Sequence, residues 1–250
     1  MEKIRISAVS YLNSLPFVYG LNHSALKEQC YISLDIPSLC AEKLISGKVD
    51  VGLIPVAAIP QVANAHIISD YCIGANGKVK TVCLFSEVPL NEIKTVLLDY
   101  QSRTSVMLVK ILAREFWKIN PEFVNAEAGF ETKINGTTAA VVIGDRAFDL
   151  SPSYIYDLAE EWKKFTKLPV VFACWVANKD LPSSFISEFN NALKNGLANI
   201  DKTLEEFPPT VVNNTEAKKY LTENISYDFD SEKKKALKLF DQLSQKYFSR

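Results

Sequence analysis

Lys3-Ile4-Arg5-Ile6-Ser7-Ala8-Val9, running into Ser10-Tyr11-Leu12-Asn13-Ser14-Leu15-Pro16, is the stretch on which the fold turns. Apolar and polar residues alternate up to Val9 as in a β-strand, and the proline can open the helix that starts at Phe17. Alternation resumes from Tyr31 to Ile36, Pro37-Ser38 opens a helix that stops at Gly47, and Val49 to Ile54 is a short third strand. Strand, helix, strand, helix, strand is the order of parallel pairing through right-handed crossovers. Such α/β architectures gather ligands at the carboxyl ends of their strands.

The pattern then repeats. An apolar stretch from His66 to Ile73 is followed by strands at Val79 to Phe85 and Lys94 to Leu98, a loop at Asp99 to Arg103, and a helix from Thr104 to Lys118. Pro121 to Ala126 and Thr138 to Ile143 read as further strands, the second running into Gly144-Asp145. Val170 to Asn178 is an apolar strand holding Trp175, after which Pro182, Thr215 and Ser231 open or cap helices. If Val79 to Phe85 carries the chain out of one lobe and Val170 to Asn178 carries it back, two crossing strands form a hinge. The expected division is 1–85 plus 178–250 in the first α/β lobe and 86–177 in the second, with a cleft between them and a helical C-terminal tail packed on the first.

Composition narrows the function classes. The 250 residues carry a net charge of −1 at pH 7, so no field recruits a polyanion and nucleic acid is not an expected partner. With 48% hydrophobic and 23% charged residues the chain is an ordinary globular one. The N-terminus enters a strand without an apolar leader, and no apolar run approaches the roughly 20 residues of a membrane span, so a cytoplasmic, non-membrane protein is expected. Cys30, Cys40, Cys72, Cys83 and Cys174 show no metal-ligand or redox spacing, and free thiols are expected. The two histidines, His23 and His66, sit in no metal or catalytic pattern. Neither a glycine-rich phosphate loop nor a Gly-x-Ser-x-Gly elbow occurs, so nucleotide and serine-nucleophile chemistry lack local support.

What remains are loops at strand ends, rich in hydroxyls and amides. Ser10, Tyr11 and Asn13 follow the first strand. Ser102, Arg103, Thr104 and Ser105 open a helix, whose free N–H groups and positive dipole end can hold a carboxylate; equally, the serines and threonine can be plain caps. Arg103 can pair with an anion or face solvent. Asp145 follows a strand and a glycine, and either faces the cleft or caps the next helix. Thr81 lies in the expected hinge strand. Trp117 and Trp162 fall in helical patterns and read as core.

Five segments taken in order carry a resemblance. They are Ser10-Tyr11-Leu12-Asn13-Ser14-Leu15-Pro16, Gly47-Lys48-Val49-Asp50-Val51-Gly52-Leu53-Ile54-Pro55, Ser102-Arg103-Thr104-Ser105, Ile143-Gly144-Asp145 and Leu168-Pro169-Val170-Val171-Phe172-Ala173-Cys174-Trp175. Over about Ile4 to Ala177 the chain resembles the chorismate dehydratase family of the futalosine route to menaquinone. The resemblance implies a two-lobed fold similar to type II periplasmic-binding proteins. It also implies loss of water from chorismate to give the enolpyruvyl ether of 3-hydroxybenzoate, with no cofactor and no metal. Asn13 and Thr81 would then be the catalytic pair, where the family often has serine in place of Thr81. Ser10, Tyr11, Ser102, Arg103, Thr104, Ser105 and Asp145 would bind the substrate. Two alternatives stand beside it. One is the sister 1,4-dihydroxy-6-naphthoate synthase, whose first loop carries Pro-Asn-Asp where this chain has Tyr11-Leu12-Asn13; the other is a small-carboxylate receptor without catalysis.

Overall fold

A computed structural model describes residues 3–247. In chain order the elements are β1 (Ile4–Val9), α1 (Leu15–Asn22), β2 (Cys30–Asp35), α2 (Pro37–Ile45), β3 (Val51–Pro55) and β4 (His66–Ala75). Then come β5 (Val82–Ser86), β6 (Thr95–Leu98), α3 (Thr104–Leu112), β7 (Glu122–Asn125), β8 (Thr138–Ile143), β9 (Tyr154–Asp157) and α4 (Leu158–Thr166). The chain ends with β10 (Val170–Ala177), α5 (Ser183–Ala198), α6 (Ile200–Glu206), α7 (Asn214–Lys219), β11 (Ser226–Asp228) and α8 (Ser231–Tyr247).

Two sheets result, in the orders β11-β4-β10-β3-β1-β2 and β7-β6-β8-β5-β9. The parallel pairings read from sequence are present: β1 with β2 and β3, and β6 with β7 and β8. Both sheets are nevertheless mixed, because β10 runs antiparallel between β3 and β4, and β5 runs antiparallel between β8 and β9. This arrangement corrects the expected division of the chain. Val82–Ser86 belongs to the second sheet and Val170–Ala177 to the first, so the crossings lie before β5 and before β10. Thr81 is at the first crossing, whereas Trp175 is inside the first lobe, edge-on to Phe17 and Phe189. The physical reason is that β5 and β10 are buried along their whole length. A uniformly apolar strand announces burial but not the sheet that buries it.

Local chemistry sets the element ends. Pro16 and Pro37 occupy the first turns of α1 and α2, and Gly47 takes φ +72° beyond α2. The helix expected to reach Lys118 does so only by changing pitch: α3 passes at Ala113 into one π-turn, and Lys118 ends it at φ +56°. The expected caps shift by two residues at α7 and by one at α8. Asn213, not Thr215, caps α7 through a capping box with Glu216, and Asp230 accepts the Lys233 N–H at 2.8 Å at the start of α8. All five cysteines are buried free thiols.

The tail is bound tightly to the first lobe. Where α1 crosses α5, a Cβ on Gly196 would lie 1.7 Å from the Pro16 carbonyl oxygen, and one on Gly20 would lie 2.0 Å from that of Ala192. The two backbones therefore touch directly, and Gly196→Ala must push the helices apart. That variant should lose about 3 kcal/mol, a fall of roughly 6–12 °C in Tm by thermal melt; an unchanged Tm would contradict the crossing.

Candidate active site

Both lobes present a strand flanked by its two parallel neighbours, β1 between β2 and β3, and β6 between β7 and β8. Crossovers leave in opposite directions from such a strand, so a crevice opens at its carboxyl end. The loops in those crevices are Ser10 to Ser14 and Asp99 to Arg103. In the first, the Ser14 hydroxyl donates to the Tyr11 carbonyl at 2.9 Å and also to that of Val9, folding the loop into a tight turn. In the second, Asp99 organises its surroundings. Its fully buried carboxylate accepts the N–H of Gln101 at 2.9 Å and of Ile143 at 3.0 Å, and pairs with Arg146 at 2.6 Å. Burial pushes the Asp99 carboxyl above the ordinary range, opposed by Arg146 and the two N–H groups. Arg146 continues to Glu131 and lies over the rings of Tyr100 and Phe130.

The lobes are closed on one another across these loops. The Leu12 N–H donates to both oxygens of Asp145 at 3.2 Å, and the Tyr11 hydroxyl pairs with the Gln101 side chain. The Tyr11 ring lies flat against Gly144, which has φ +67°; a Cβ there would come within 2.6 Å of the ring. Gly144 is thus required both by its left-handed backbone and by this close approach. Burial raises the Tyr11 phenol, and the neighbouring Asp99 raises it further.

Between the lobes lies a narrow cavity of about 50 Å³. Among the residues expected at the site, Tyr11, Asn13, Thr81, Ser102, Thr104 and Ser105 line it. Ser102 also caps α3, its hydroxyl accepting the Ser105 N–H at 3.0 Å, so the cap and cavity readings hold together. The Thr104 hydroxyl donates to the Phe172 carbonyl at 2.9 Å, fastening α3 to β10. Asp145 sits beside the cavity as the interlobe acceptor described above. Two expectations are corrected. Ser10 is exposed, with its N–H bound to the Asp35 carbonyl, and Arg103 turns away toward Gln61 at 3.0 Å and Glu42 at 3.7 Å. The rising backbone of α3 leaves Ser102 and Ser105 on the cavity side and sends Arg103 outward.

Sequence reading missed three groups: the Asp99–Arg146 pair, Gln101 and Tyr220. Tyr220, in the π-turn after α7, is buried, and its hydroxyl meets Thr81 Oγ1 at 2.6 Å and Asn13 Nδ2 at 3.3 Å. Tyr227 donates to the Asn13 carbonyl at 2.9 Å. An aromatic residue in a helical tail looks like core packing, so only its hydroxyl could have hinted at this role. His23, stacked on Tyr19, and His66, near Asp180, lie away from the cavity.

Asp145 carries a pH signature. Burial pushes its carboxyl up to about 6, so the folded chain binds a proton that the unfolded chain, with an ordinary carboxyl near 4, has lost. Between those values folding takes up a proton, and this group's contribution to stability declines as pH rises from about 4 to 6. Asp145→Asn keeps an oxygen for the Leu12 N–H and removes the titration. Its Tm should therefore hold up better than that of the wild type on going from pH 5 to pH 7. Parallel melting curves would assign the titration elsewhere.

Comparison with known proteins bears on the family and the fold. Over 217 residues, 78% of either chain, the sequence is 25% identical to the chorismate dehydratase of Thermus thermophilus. A solved protein of Archaeoglobus fulgidus is similar at a TM-score of 0.76 and 17% identity, covering 98% of this chain and 97% of that one. A conserved Candida albicans protein with the generic periplasmic-binding-protein fold gives 0.62 at 14% identity, covering 97% and 91%. The fold is thus that of the periplasmic-binding proteins, as the sequence resemblance implied. No described helix is long and apolar enough to cross a membrane. A family model for menaquinone biosynthesis matches residues 4–246, and the chain belongs to that family.

Proposed function

We propose that this chain is a cytoplasmic hydro-lyase that converts chorismate to the enolpyruvyl ether of 3-hydroxybenzoate and water. The observation that carries the reading is the meeting of Asn13, from the first-lobe turn, and Thr81, from the interlobe crossing, at one wall of the cleft. Family membership and the T. thermophilus relative support the substrate. Dehydration removes the proton from the ring carbon bearing the ether and hydroxide from its neighbour, and the ring becomes aromatic. That gain is built into the substrate, so a weak, well-placed base suffices. The substrate's own enolpyruvyl carboxylate takes the proton, while Asn13 and Thr81 orient the ring and stabilise the departing oxygen. The proton ends on that oxygen as water, and the carboxylate is regenerated. A closed cleft keeps bulk water from competing for these hydrogen bonds.

A substrate carboxylate is assigned to the N-terminus of α3, where Ser105 lines the cavity. Ser105→Ala should raise KM about tenfold, equivalent to ~1.4 kcal/mol, with kcat nearly unchanged. Steady-state kinetics showing a lowered kcat at constant KM would remove the carboxylate from this position. The reading itself is tested by incubating the purified chain with chorismate and following the aromatic product by NMR. Chorismate that binds but is returned unchanged would make the protein a receptor.

A further inference from the structure

A fully buried phenol with two polar neighbours has little freedom in how it spends its single proton. Tyr220 is 1% exposed, with its ring edge-on to Phe148 at 5.3 Å between centroids. Asn13 Nδ2 can only donate, so at 3.3 Å the Tyr220 oxygen accepts. The other partner described for that oxygen is Thr81 Oγ1 at 2.6 Å, where either atom can be the donor. Were Thr81 to donate, two donors would converge on one oxygen and the phenol proton would be buried without an acceptor, an expensive arrangement. Tyr220 therefore donates to Thr81, and the proton of Thr81 is left to point elsewhere. Thr81 itself is buried in the wall of the cavity, so that proton is directed toward whatever fills it.

We propose that Tyr220 is a positioning residue for the dehydration described above: it locks the Asn13 amide and the Thr81 hydroxyl into one unit and makes Thr81 a hydrogen-bond donor to the leaving oxygen. This rests on the proposed reaction. Thr81 keeps its proton throughout, and Tyr220 neither gains nor loses one, so the atom balance of the dehydration is unchanged. The backbone of Asn13 is held separately, by Tyr227, so loss of the Tyr220 hydroxyl frees the side chain without freeing the loop. The chemistry of a rigid, pre-set donor predicts a defect in kcat and not in KM, because the ground-state substrate is held elsewhere.

Tyr220→Phe keeps the ring and deletes only the hydroxyl. Its kcat should fall about 10- to 100-fold, with KM within about threefold of wild type. Thr81→Val removes the same donor, so the double variant should be no slower than Thr81→Val alone, and Thr81→Ser should restore most of the activity in a wild-type background. A Tyr220→Phe enzyme with unchanged kcat, a defect confined to KM, or losses that multiply in the double variant would each overturn the proposal. Should Tyr220→Phe fail to fold, a fluorinated tyrosine at position 220 keeps the hydroxyl while strengthening it as a donor. Its kcat must then differ from wild type, and an identical value counts against the role. Absence of aromatic product from the wild type would instead defeat the reaction itself; product from the wild type with an unaffected Tyr220→Phe would defeat this inference alone.

Discussion

Asn13→Ala is expected to lower the turnover of chorismate by roughly 10²- to 10⁴-fold, the scale attached to a positioned group acting in the transition state. The fold should survive, because what holds the loop does not involve the Asn13 side chain. The Ser14 hydroxyl ties the turn to the Tyr11 carbonyl, Tyr227 holds the Asn13 carbonyl, and Asp145 holds the Leu12 N–H. Removing the amide therefore subtracts orientation at the reacting carbon and leaves the cavity walls in place. Single-turnover kinetics, with a thermal melt alongside, would check this. A loss of less than tenfold in a well-folded variant would place the decisive contacts elsewhere, and Asp145, a carboxyl beside the cavity that burial pushes up to about 6, would become the candidate base.

Arg146→Met should produce the largest loss of stability. The Asp99 side chain has no solvent exposure, and its counter-charge is the Arg146 guanidinium at 2.6 Å. Methionine fills much of the volume but leaves a buried carboxylate facing only two N–H groups. Breaking a buried pair from one side costs about 3–5 kcal/mol, which in a chain of this size corresponds to roughly 6–20 °C in Tm. Adding Asp99→Asn to that variant should recover part of the loss, since the neutral amide no longer needs a partner. Activity should fall further than stability alone dictates, because Asp99 also orders the Gln101 and Ile143 backbones on either side of the cavity. A melt within 2 °C of wild type would mean that water or another cation replaces the guanidinium.

The contrast between these two variants shows what could be read in advance. Asn13 was legible because it lies in a short loop straight after a strand, where local rules place ligand-facing residues, and because its neighbours form a distinctive run. Ser102 and Ser105 were legible for a similar reason: a helix start is a local event, with side chain and backbone three residues apart. Arg103 sits in the same motif, yet local rules leave it open to an anion or to solvent, since the direction of its side chain depends on what packs against the helix. Asp99 reads locally only as the start of a loop, and nothing within a few residues of Arg146 marks it as the partner of a carboxylate 47 residues away.

While the short strands β9 and β11 carried no local mark, the sequence by itself determined most of the elements and their order, the parallel halves of both sheets and the family. Those depend on periodicities of two and 3.6 residues and on turn chemistry within a few positions. Tertiary structure alone decided which sheet takes β5 and β10, because a strand buried on both faces carries no mark of its partners. It also decided that Tyr220 reaches back across the fold to Asn13 and Thr81. The backbone contact of Gly196 with Pro16 anchors the tail to the first lobe, and from there the phenol meets two residues from the opposite end of the chain. Contacts at that sequence separation follow from the closing of the whole core, and no local pattern encodes them.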